Sequence, residues 1–363
     1  MKGNIAYQQI LQIIAAAQNV NSDLQGPVPF SLTPCSSSGW SSKRYIIKKQ
    51  QNNTSQEKYF CKCYTISGKN DMSLQENLRN EFTGLHFAHE CFRNNSSNYY
   101  APRPLALFEH EKTILMDYAN GKNLLSMLNG ELGKFSLKNI SNHLVSLQVK
   151  AGEMLRTFQR CPGVADATEA QQEEANTEIF KTGLQAIFEL TGTGISLSIL
   201  DAYKEHITKI HNEFHLTKSQ LLQVHWDFRP QNILVEENTD RLGLVDFQLF
   251  SQRGNPYRDP ATYLLSLFSF ALTYSKTSNI ERLISGFLSG YLGDSKPFHH
   301  FSAETLDHII QVRLPWQINS LLNNTSITPY KYIRNKIICY YGGKILKKVL
   351  SSGGRFLDKY YSL

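Results

Sequence analysis

The feature that most constrains the fold is the segment from Val224 to Phe250, where polar residues interrupt short apolar runs at defined positions. Ile233 to Val235 forms one β-prone run and Leu242 to Val245 forms a second. Asp240-Arg241 between them has the composition of a turn. The pattern predicts a β-hairpin. Because both ends of a hairpin open onto the same edge, the polar residues that flank the two runs are expected to lie at that edge.

The polar residues that flank this hairpin have the chemistry that phosphoryl transfer needs. His225, Asp227 and Asn232 follow the spacing H-x-D-x-x-x-x-N before the first run, and Asp246 directly follows the second. Phosphoryl transfer needs a carboxylate that positions and deprotonates the acceptor hydroxyl, and hard oxygen ligands for Mg²⁺. Asp227 can do the first, and Asn232 with Asp246 can hold the metal. Each residue alone is more often a turn former, but the set at this spacing favours the catalytic interpretation.

This segment resembles the catalytic loop and metal-binding Asp of the protein-kinase-like superfamily, in the form found in aminoglycoside phosphotransferases and choline-kinase-type small-molecule kinases. Those enzymes typically show H-G-D-x-x-x-x-N-I-L, followed by an apolar residue, Asp and Phe or Trp. This chain has Trp226 in place of that Gly, and Gln248 where eukaryotic protein kinases carry the Gly of D-F-G. Trp226 also replaces the Arg of H-R-D, so control by an activation-loop phosphate is not expected. We interpret Trp226 as an aromatic residue that packs the loop onto the core. The resemblance implies that His225 orders the loop without taking part in the chemistry.

The resemblance also implies a nucleotide-binding lobe upstream, and two strand-like segments, Tyr45–Lys49 and Lys58–Thr65, are candidates for it. Lys62 matches the strand lysine that contacts the α- and β-phosphates of the nucleotide in this superfamily. Glu81, on a following run with helical spacing, is our choice for the partner of Lys62, and Glu76 is the alternative. The structural alternative is a surface lysine on an edge strand with a solvated helical Glu.

The remaining nucleotide contacts are predicted from weaker patterns. The segment between Phe30 and Tyr45 has one glycine, Gly39, within a run of serines that includes Ser38. It is either the loop that covers the phosphates or a flexible linker. The later segment L-M-D-Y-A-N-G resembles the connection between the lobes in aminoglycoside-phosphotransferase relatives, so the backbone from Met116 to Tyr118 is expected to meet the adenine edge.

Composition excludes several classes of protein. Of the 363 residues, 41% are hydrophobic and 11% aromatic, which argues against disorder and allows a large core. The net charge of +7 is compatible with an acidic substrate but does not require one. We expect a cytoplasmic protein with no transmembrane segment, no convincing signal peptide and no nucleic-acid partner. Cys61 and Cys63 alternate on a probable strand, and a C-x-C pair without a second cluster is a poor zinc signal.

Beyond the lobe connection the sequence is helical. Apolar residues recur at helical spacing in five segments, with an acidic connector around 166–174: Leu124–Leu128, His143–Gln159, Thr177–Leu190, Asp201–Leu216 and Asn279–Leu292. Ala261–Tyr274 reads as a buried core helix that begins near Asp259. The resemblance makes Asp259 an acceptor of hydrogen bonds from the catalytic-loop backbone, and an N-cap role is compatible with that. The basic stretch from Lys331 onwards is either a solvated helix face or an amphipathic helix that touches an anionic membrane or glycan.

These observations predict an α+β, bilobal protein-kinase-like fold with a small antiparallel-sheet lobe and a large, mostly helical lobe. The expected divisions are an N-terminal helical extension (1–35), a nucleotide-binding lobe (36–118) and a helical lobe with the catalytic loop and acceptor site (119–363). The predicted function is transfer of the γ-phosphate of ATP, with Mg²⁺, to a hydroxyl of a small molecule such as a sugar, an aminoglycoside or an amino alcohol. The alternative is a catalytically silent, kinase-like ATP-binding or interaction protein. Such proteins usually lose the catalytic Asp, the metal Asp or the strand Lys, and this chain keeps all three.

Overall fold

The computed structural model describes residues 12, 30–35, 42–49, 58–64, 71–133, 140–162, 168–213, 221–274, 277–293, 302–323 and 331–351. The chain divides into two compact units. The first comprises Met1–Gly121 and Leu234–Phe250, and the second comprises Lys122–Ile233 and Ser251–Leu363.

The secondary structure begins with strands and becomes mostly helical. In chain order the elements are β1 (Phe30–Pro34), β2 (Ser42–Lys49), β3 (Lys58–Tyr64), α1 (Asp71–Asn95), β4 (Tyr99–Tyr100), β5 (Pro104–Phe108), β6 (Thr113–Asp117), β7 (Lys122–Asn123), α2 (Leu124–Leu132), α3 (Asn142–Arg160), α4 (Glu169–Leu190), α5 (Leu197–Glu213), β8 (Leu222–Val224), a 3₁₀ turn (Pro230–Asn232), β9 (Ile233–Val235), β10 (Leu242–Leu244), β11 (Ser251–Gly254), α6 (Arg258–Tyr274), α7 (Thr277–Leu292), α8 (Ala303–Asn323) and α9 (Lys331–Ser351). This is the predicted α+β class.

The first unit is built on an antiparallel sheet with the strand order β1-β2-β3-β6-β5. One face of the sheet carries a cluster of buried side chains: Ile47, Tyr59, Cys61 and Leu115. Because successive side chains of a strand point to opposite faces, Lys62 lies on the other face from Cys61. Strands β9 and β10 are sheet neighbours, as expected for the predicted hairpin.

Strand β1 corrects the end of the helical extension predicted over residues 1–35, because Phe30–Pro34 is a strand that pairs with β2. The rest of that extension, apart from residue 12, lies outside the described residues. The physical reason is the period-two pattern: Leu32 packs against the sheet core while Thr33 is exposed. A second correction concerns the acidic connector around 166–174, since α4 already begins at Glu169.

Two helices of the second unit pack closely against each other at glycine residues. Helices α3 and α7 contact each other. A Cβ atom on Gly290 would stand 1.9 Å from the Val149 carbonyl oxygen, and one on Gly152 would stand 2.2 Å from that of Phe287. These two glycines therefore allow the helix backbones to approach directly. Helix α8, which packs on α4 and α6, has buried residues around its whole circumference and a proline, Pro315, inside it.

The C-terminal helix α9 has an exposed face of lysines, tyrosines and one isoleucine: Lys336, Ile337, Tyr340, Tyr341, Lys344, Lys347 and Lys348. Its opposite side is buried, with Cys339 donating a hydrogen bond to the Thr193 carbonyl oxygen at 3.0 Å. Among the helices that the structure describes, none is both long enough and apolar enough to span a bilayer.

Candidate functional site

The first unit contains a buried group of charges centred on Lys62. The Lys62 ammonium lies 2.8 and 2.9 Å from the two carboxylate oxygens of Glu81 and 2.8 Å from Oδ1 of Asp246. The exposed fractions of the Lys62 and Glu81 side chains are 3% and 2%, whereas Asp246 is 29% exposed. Strand β3 lies between β2 and β6, so Lys62 is not on an edge strand. The alternative partner, Glu76, is exposed.

Glu81 reaches Lys62 from the buried stripe of helix α1. Its neighbours on that stripe are apolar and buried: Leu78, Leu85, Ala88 and Phe92. A charged residue on such a face needs a partner of opposite charge, because burying an unpaired carboxylate is costly. Lys62 is that partner.

Two opposing effects determine the protonation of this group. Burial disfavours the charged forms of the side chains, and attraction between their opposite charges favours them. Burial raises the pKa of Glu81 to about 7, although the nearby Lys62 opposes the rise. Burial also raises the pKa of Asp246, but attraction to Lys62 and hydrogen bonds from Lys62 and Gln248 outweigh it, and the pKa falls to about 2. Burial lowers the pKa of Lys62, and attraction to both carboxylates reverses the sign, so its pKa is raised. Lys62 and Asp246 are therefore charged at neutral pH.

Arg44 is a further basic residue of this site that the sequence patterns did not single out. It stands opposite Lys62 in the β2–β3 pairing, and its charge lowers the pKa of both Glu81 and Asp246. Pairing of β2 and β3 as a hairpin would place Arg44 opposite Lys62 if the register of the two strands were known. The loop between these strands is too long for its length to fix that register from sequence.

Asp246 is held by the residues that follow it. Its backbone has a positive φ of 70°, and Gln248 donates a hydrogen bond from Nε2 to Asp246 Oδ1 at 2.8 Å. Phe247 and Phe250 are buried against helix α1, where a Cβ on Gly84 would stand 2.8 Å from the Cβ of each. The aromatic residues after Asp246 thus anchor it to the helix that carries Glu81.

In the second unit, Asn232 orients Asp227. The amide nitrogen of Asn232 donates to both the carbonyl oxygen and the carboxylate Oδ2 of Asp227, each at 2.9 Å. Because both amide hydrogens go to Asp227, the amide oxygen of Asn232 is left to accept or to bind a metal. The 3₁₀ turn Pro230–Asn232 brings the two side chains together. Arg229 also hydrogen-bonds Asp227, from Nε to Oδ1.

His225 and Asp259 order the loop that carries Asp227. Asp259 is fully buried, and its two carboxylate oxygens accept the backbone N–H groups of His225 at 2.7 Å and Trp226 at 2.8 Å. The Asp227 N–H lies 3.3 Å from His225 Nδ1. Asp259 lies in the first turn of α6, which begins at Arg258, rather than at the N-cap as the sequence suggested. Its side chain binds the catalytic-loop backbone instead of the helix end.

The remaining predicted contacts are only partly described. Ser38 and Gly39 lie outside the described residues. Met116 is buried at the end of β6. The N–H groups of Asp117 and Tyr118 donate to the carbonyl oxygens of Arg103 at 2.9 Å and Lys58 at 3.2 Å. These two amide hydrogens are therefore already used, and the adenine contact of this segment stays a prediction.

The described residues contain no group of three or more His, Cys, Asp or Glu side chains that could hold a metal ion. Asp246 and Asn232 each offer an oxygen of the type that binds Mg²⁺, which keeps several waters and is usually held by one or two protein oxygens together with substrate phosphates. Lys62 and Gln248 both bind Oδ1 of Asp246, so Oδ2 is the oxygen that could meet a cation.

Comparison with known proteins gives one family and one fold. The sequence model of the phosphotransferase enzyme family matches residues 32–297. No curated protein matches the sequence. The solved structure of choline kinase from Cryptosporidium parvum is similar, with a TM-score of 0.57 and 12% identity, over 96% of this chain and 99% of that chain. A GDP complex of a mutant aminoglycoside 2′-phosphotransferase-IIIa has a TM-score of 0.50 and 10% identity, over 94% of this chain and 97% of that chain. At these identities the likeness shows the fold alone.

Proposed function

The chain belongs to the phosphotransferase enzyme family, and we propose that it is a kinase that transfers the γ-phosphate of ATP to a hydroxyl group of a small molecule. The acceptor classes considered from the sequence are sugars, aminoglycosides and amino alcohols. Family membership supports the reaction class, and the residues around Lys62 and Asp227 support the individual roles.

The observation that carries the proposal is the buried group of Lys62, Glu81 and Asp246, in which two carboxylates share one lysine. Burying such a group is costly, and replacing it by apolar residues would often be neutral or stabilising. Its presence is therefore better explained by a bound anion and cation than by stability. Lys62 supplies a positive charge for the nucleotide phosphates, Glu81 holds Lys62 in place, and Asp246 offers its Oδ2 oxygen to a cation.

Asp246 and Asn232 would hold Mg²⁺ through carboxylate and amide oxygens. When bound, Mg²⁺ neutralises the charge of the nucleotide phosphates and so lowers the barrier to attack on the γ-phosphorus.

Asp227 is the proposed base for the acceptor hydroxyl. It accepts the hydroxyl proton as the new bond from the acceptor oxygen to the γ-phosphorus forms. The bond between the γ-phosphorus and its bridging oxygen breaks, and ADP leaves with that oxygen. Asn232 fixes the orientation of the Asp227 carboxylate, while His225 and Asp259 fix the loop without touching the reacting atoms.

The proposal is tested by nucleotide consumption with a panel of sugars (neutral sugars, sugar acids and sugar phosphates), amino alcohols and aminoglycosides. Both ATP and GTP are offered as donors, because one of the similar structures contains GDP. We expect Asp227→Asn to reduce turnover by about 10²–10⁴-fold, the usual contribution of a general base. Asp201→Asn, an exposed carboxylate of α5, is the matched control and should keep the wild-type rate. Turnover by Asp227→Asn near that of wild type would show that the base is wrongly assigned.

Binding measurements separate an enzyme from a silent kinase-like protein. Calorimetric titration with nucleotide, with and without Mg²⁺, should show binding that depends on the metal. Nucleotide binding without turnover of any acceptor would favour the silent alternative. No Mg²⁺-dependent binding of either nucleotide would contradict the kinase proposal.

A further inference from the structure

Three arginines and two tryptophans of the second unit lie together next to Asp227. We call them the arginine–tryptophan cluster: Arg229, Arg258, Arg313, Trp226 and Trp316. The guanidinium carbons of Arg229 and Arg313 lie 5.8 and 5.1 Å from the centre of the Trp316 ring. Arg258 lies over Trp226 at 3.3 Å. The cluster joins the catalytic loop, the start of helix α6 and the middle of helix α8.

Two of these arginines have carboxylate partners. Arg229 is bonded to Asp227, and Arg258 donates from Nη1 to Glu178 Oε2 at 2.5 Å. Arg313 has no ion pair with any described residue, although it is only 2% exposed. Its Nε and Nη1 atoms are buried without a hydrogen-bond partner.

The unsatisfied atoms of this cluster are all donors. Besides Nε and Nη1 of Arg313, they are Arg258 Nε and Trp226 Nε1. A buried N–H group without an acceptor is costly, and more so on a charged side chain. Burial, followed by repulsion from Arg258, lowers the pKa of Arg313 to about 9. A group rich in acceptor oxygens and carrying negative charge would satisfy the donors and relieve the repulsion.

We propose that the acceptor substrate carries an anionic group, a carboxylate or a phosphate, which is bound by Arg313 and Arg229 beside Trp316. The inference rests on the proposed function and narrows its acceptor class. Arginine suits this task because its planar fork of N–H groups matches two oxygens of a carboxylate or phosphate. Since Arg229 also contacts Asp227, an anion bound there lies close to the proposed base, where the acceptor hydroxyl must be.

The charge of the cluster opposes other acceptors. Amino alcohols and aminoglycosides are cations at neutral pH, so the unpaired guanidinium of Arg313 would repel them, and their ammonium groups offer its N–H groups no acceptor. A neutral sugar would leave the buried donors of Arg313 without an acceptor. The phosphates of the nucleotide are the other source of an anion, and the experiment must distinguish them from the acceptor.

The test is a titration with inorganic phosphate, followed by tryptophan fluorescence, because the cluster contains two of the three tryptophans of the chain. We expect a saturable change in the wild type that persists when Mg²⁺ and a non-hydrolysable ATP analogue, or Mg²⁺ and ADP, are present at saturation. In Arg313→Gln and Arg229→Gln the phosphate concentration at the midpoint of the fluorescence change should rise at least tenfold. The rise should be smaller in Arg313→Lys than in Arg313→Gln. Arg282→Gln, which removes an arginine of the same unit that bonds Asn142, should match wild type.

The Arg229→Gln variant controls for misfolding, because the Arg229 side chain is 26% exposed and its replacement is not expected to unfold the unit. Displacement of phosphate by either nucleotide would assign the anion site to the nucleotide and overturn the inference. So would the absence of saturable binding, or equal midpoints in wild type and Arg229→Gln. None of these titrations requires turnover, so the inference can fail while the loss of activity in Asp227→Asn still upholds the proposed kinase.

Discussion

Trp226 occupies a backbone conformation that large side chains rarely adopt, with a φ of 68°. The resembling enzymes carry Gly at this position, and Gly adopts positive φ without steric cost. In this chain the conformation is held by the hydrogen bond from the Trp226 N–H to Asp259, and by Arg258 over the indole ring. The substitution of Gly by Trp in the motif is therefore compatible with the loop geometry, since neighbouring residues compensate for it.

Two substitutions of Trp226 distinguish the effect of its backbone conformation on stability from the effect of its indole ring. Trp226→Gly and Trp226→Ala both remove the ring from Arg258, but only Gly relieves the strain of the positive φ. We expect the Gly variant to be more stable than the Ala variant by about 1 kcal/mol, measured as the free energy of urea unfolding followed by circular dichroism. In an ordinary loop Ala would be the more stable of the two. A more stable Ala variant would therefore show that the left-handed backbone is not required.

Substitution of Lys62 should lower the free energy of unfolding by an amount that depends on pH. Lys62→Met leaves the buried Glu81 and the partly exposed Asp246 without this cation, which costs roughly 3–5 kcal/mol of unfolding free energy at pH 8. The pKa of Glu81 is about 7 with Lys62 present and must rise further without it. A carboxyl with a raised pKa contributes stability below its unfolded pKa and loses it as pH rises through the folded value. The cost of the substitution should therefore be clearly smaller at pH 5.5 than at pH 8.

The control for Lys62→Met is Lys58→Met, an exposed lysine on the same strand. It should change the unfolding free energy by no more than about 0.5 kcal/mol at either pH. Equal losses for Lys62→Met at the two pH values would contradict the assignment of Glu81 as the titrating partner.

The residues of the site differ in how far the sequence could reveal them. Asp227, Asn232 and Asp246 stand in a motif of fixed spacing, so the amino-acid sequence alone indicates their chemistry. Arg313 does not, because nothing local distinguishes a buried arginine of α8 from a solvated one. Its place beside Arg229 arises from the packing of a distant helix against the catalytic loop, which spacing rules do not reach.

At the scale of elements, the spacing of apolar residues predicted a helix correctly where one face of the helix is buried. It failed where the helix is buried on several faces. Helix α3 has an apolar stripe and falls within one residue of its predicted bounds, Asn142–Arg160 against His143–Gln159. Helix α8 was not predicted as an element at all. Its buried residues surround the helix and include polar side chains such as Asp307 and Gln311, and Pro315 interrupts the pattern. A helix buried on all sides has no apolar stripe to detect.

The contact of α3 with α7 gives a prediction for an element. In Gly290→Ala the new Cβ would stand 1.9 Å from the Val149 carbonyl oxygen, so the helices must separate. We expect a loss of about 1–3 kcal/mol of unfolding free energy, despite the better helix propensity of Ala. Gly130→Ala in α2 meets nothing within 4 Å and should gain up to about 1 kcal/mol. Chemical denaturation of both variants checks the pair, and a stabilising Gly290→Ala would rule out the close approach.

At the scale of the whole molecule, the resemblance of the segment from Val224 to Phe250 carried the fold prediction, and the observed order of elements agrees with it. Strands and one helix come first and helices dominate afterwards, which separates an α+β chain from an alternating α/β one. The family match and the two solved structures agree with that fold. The acceptor does not follow from the order of elements, because folds host many chemistries and specificity lies in particular side chains.

The last prediction concerns the stability of the whole chain when nucleotide and metal bind. A ligand that binds only the folded state adds about 2.7 kcal/mol at a concentration of 100 Kd, which raises the melting temperature. ATP with Mg²⁺ should raise it more than ATP alone, because we propose Asp246 as a ligand of the metal. In Asp246→Ala the difference between ATP with Mg²⁺ and ATP alone should disappear, while Asp201→Ala, which removes an exposed carboxylate, should keep it. Thermal unfolding of the three proteins with each ligand measures this. If Asp246→Ala kept the metal-dependent rise, Asp246 would not be a magnesium ligand, and its place beside Lys62 would need another explanation.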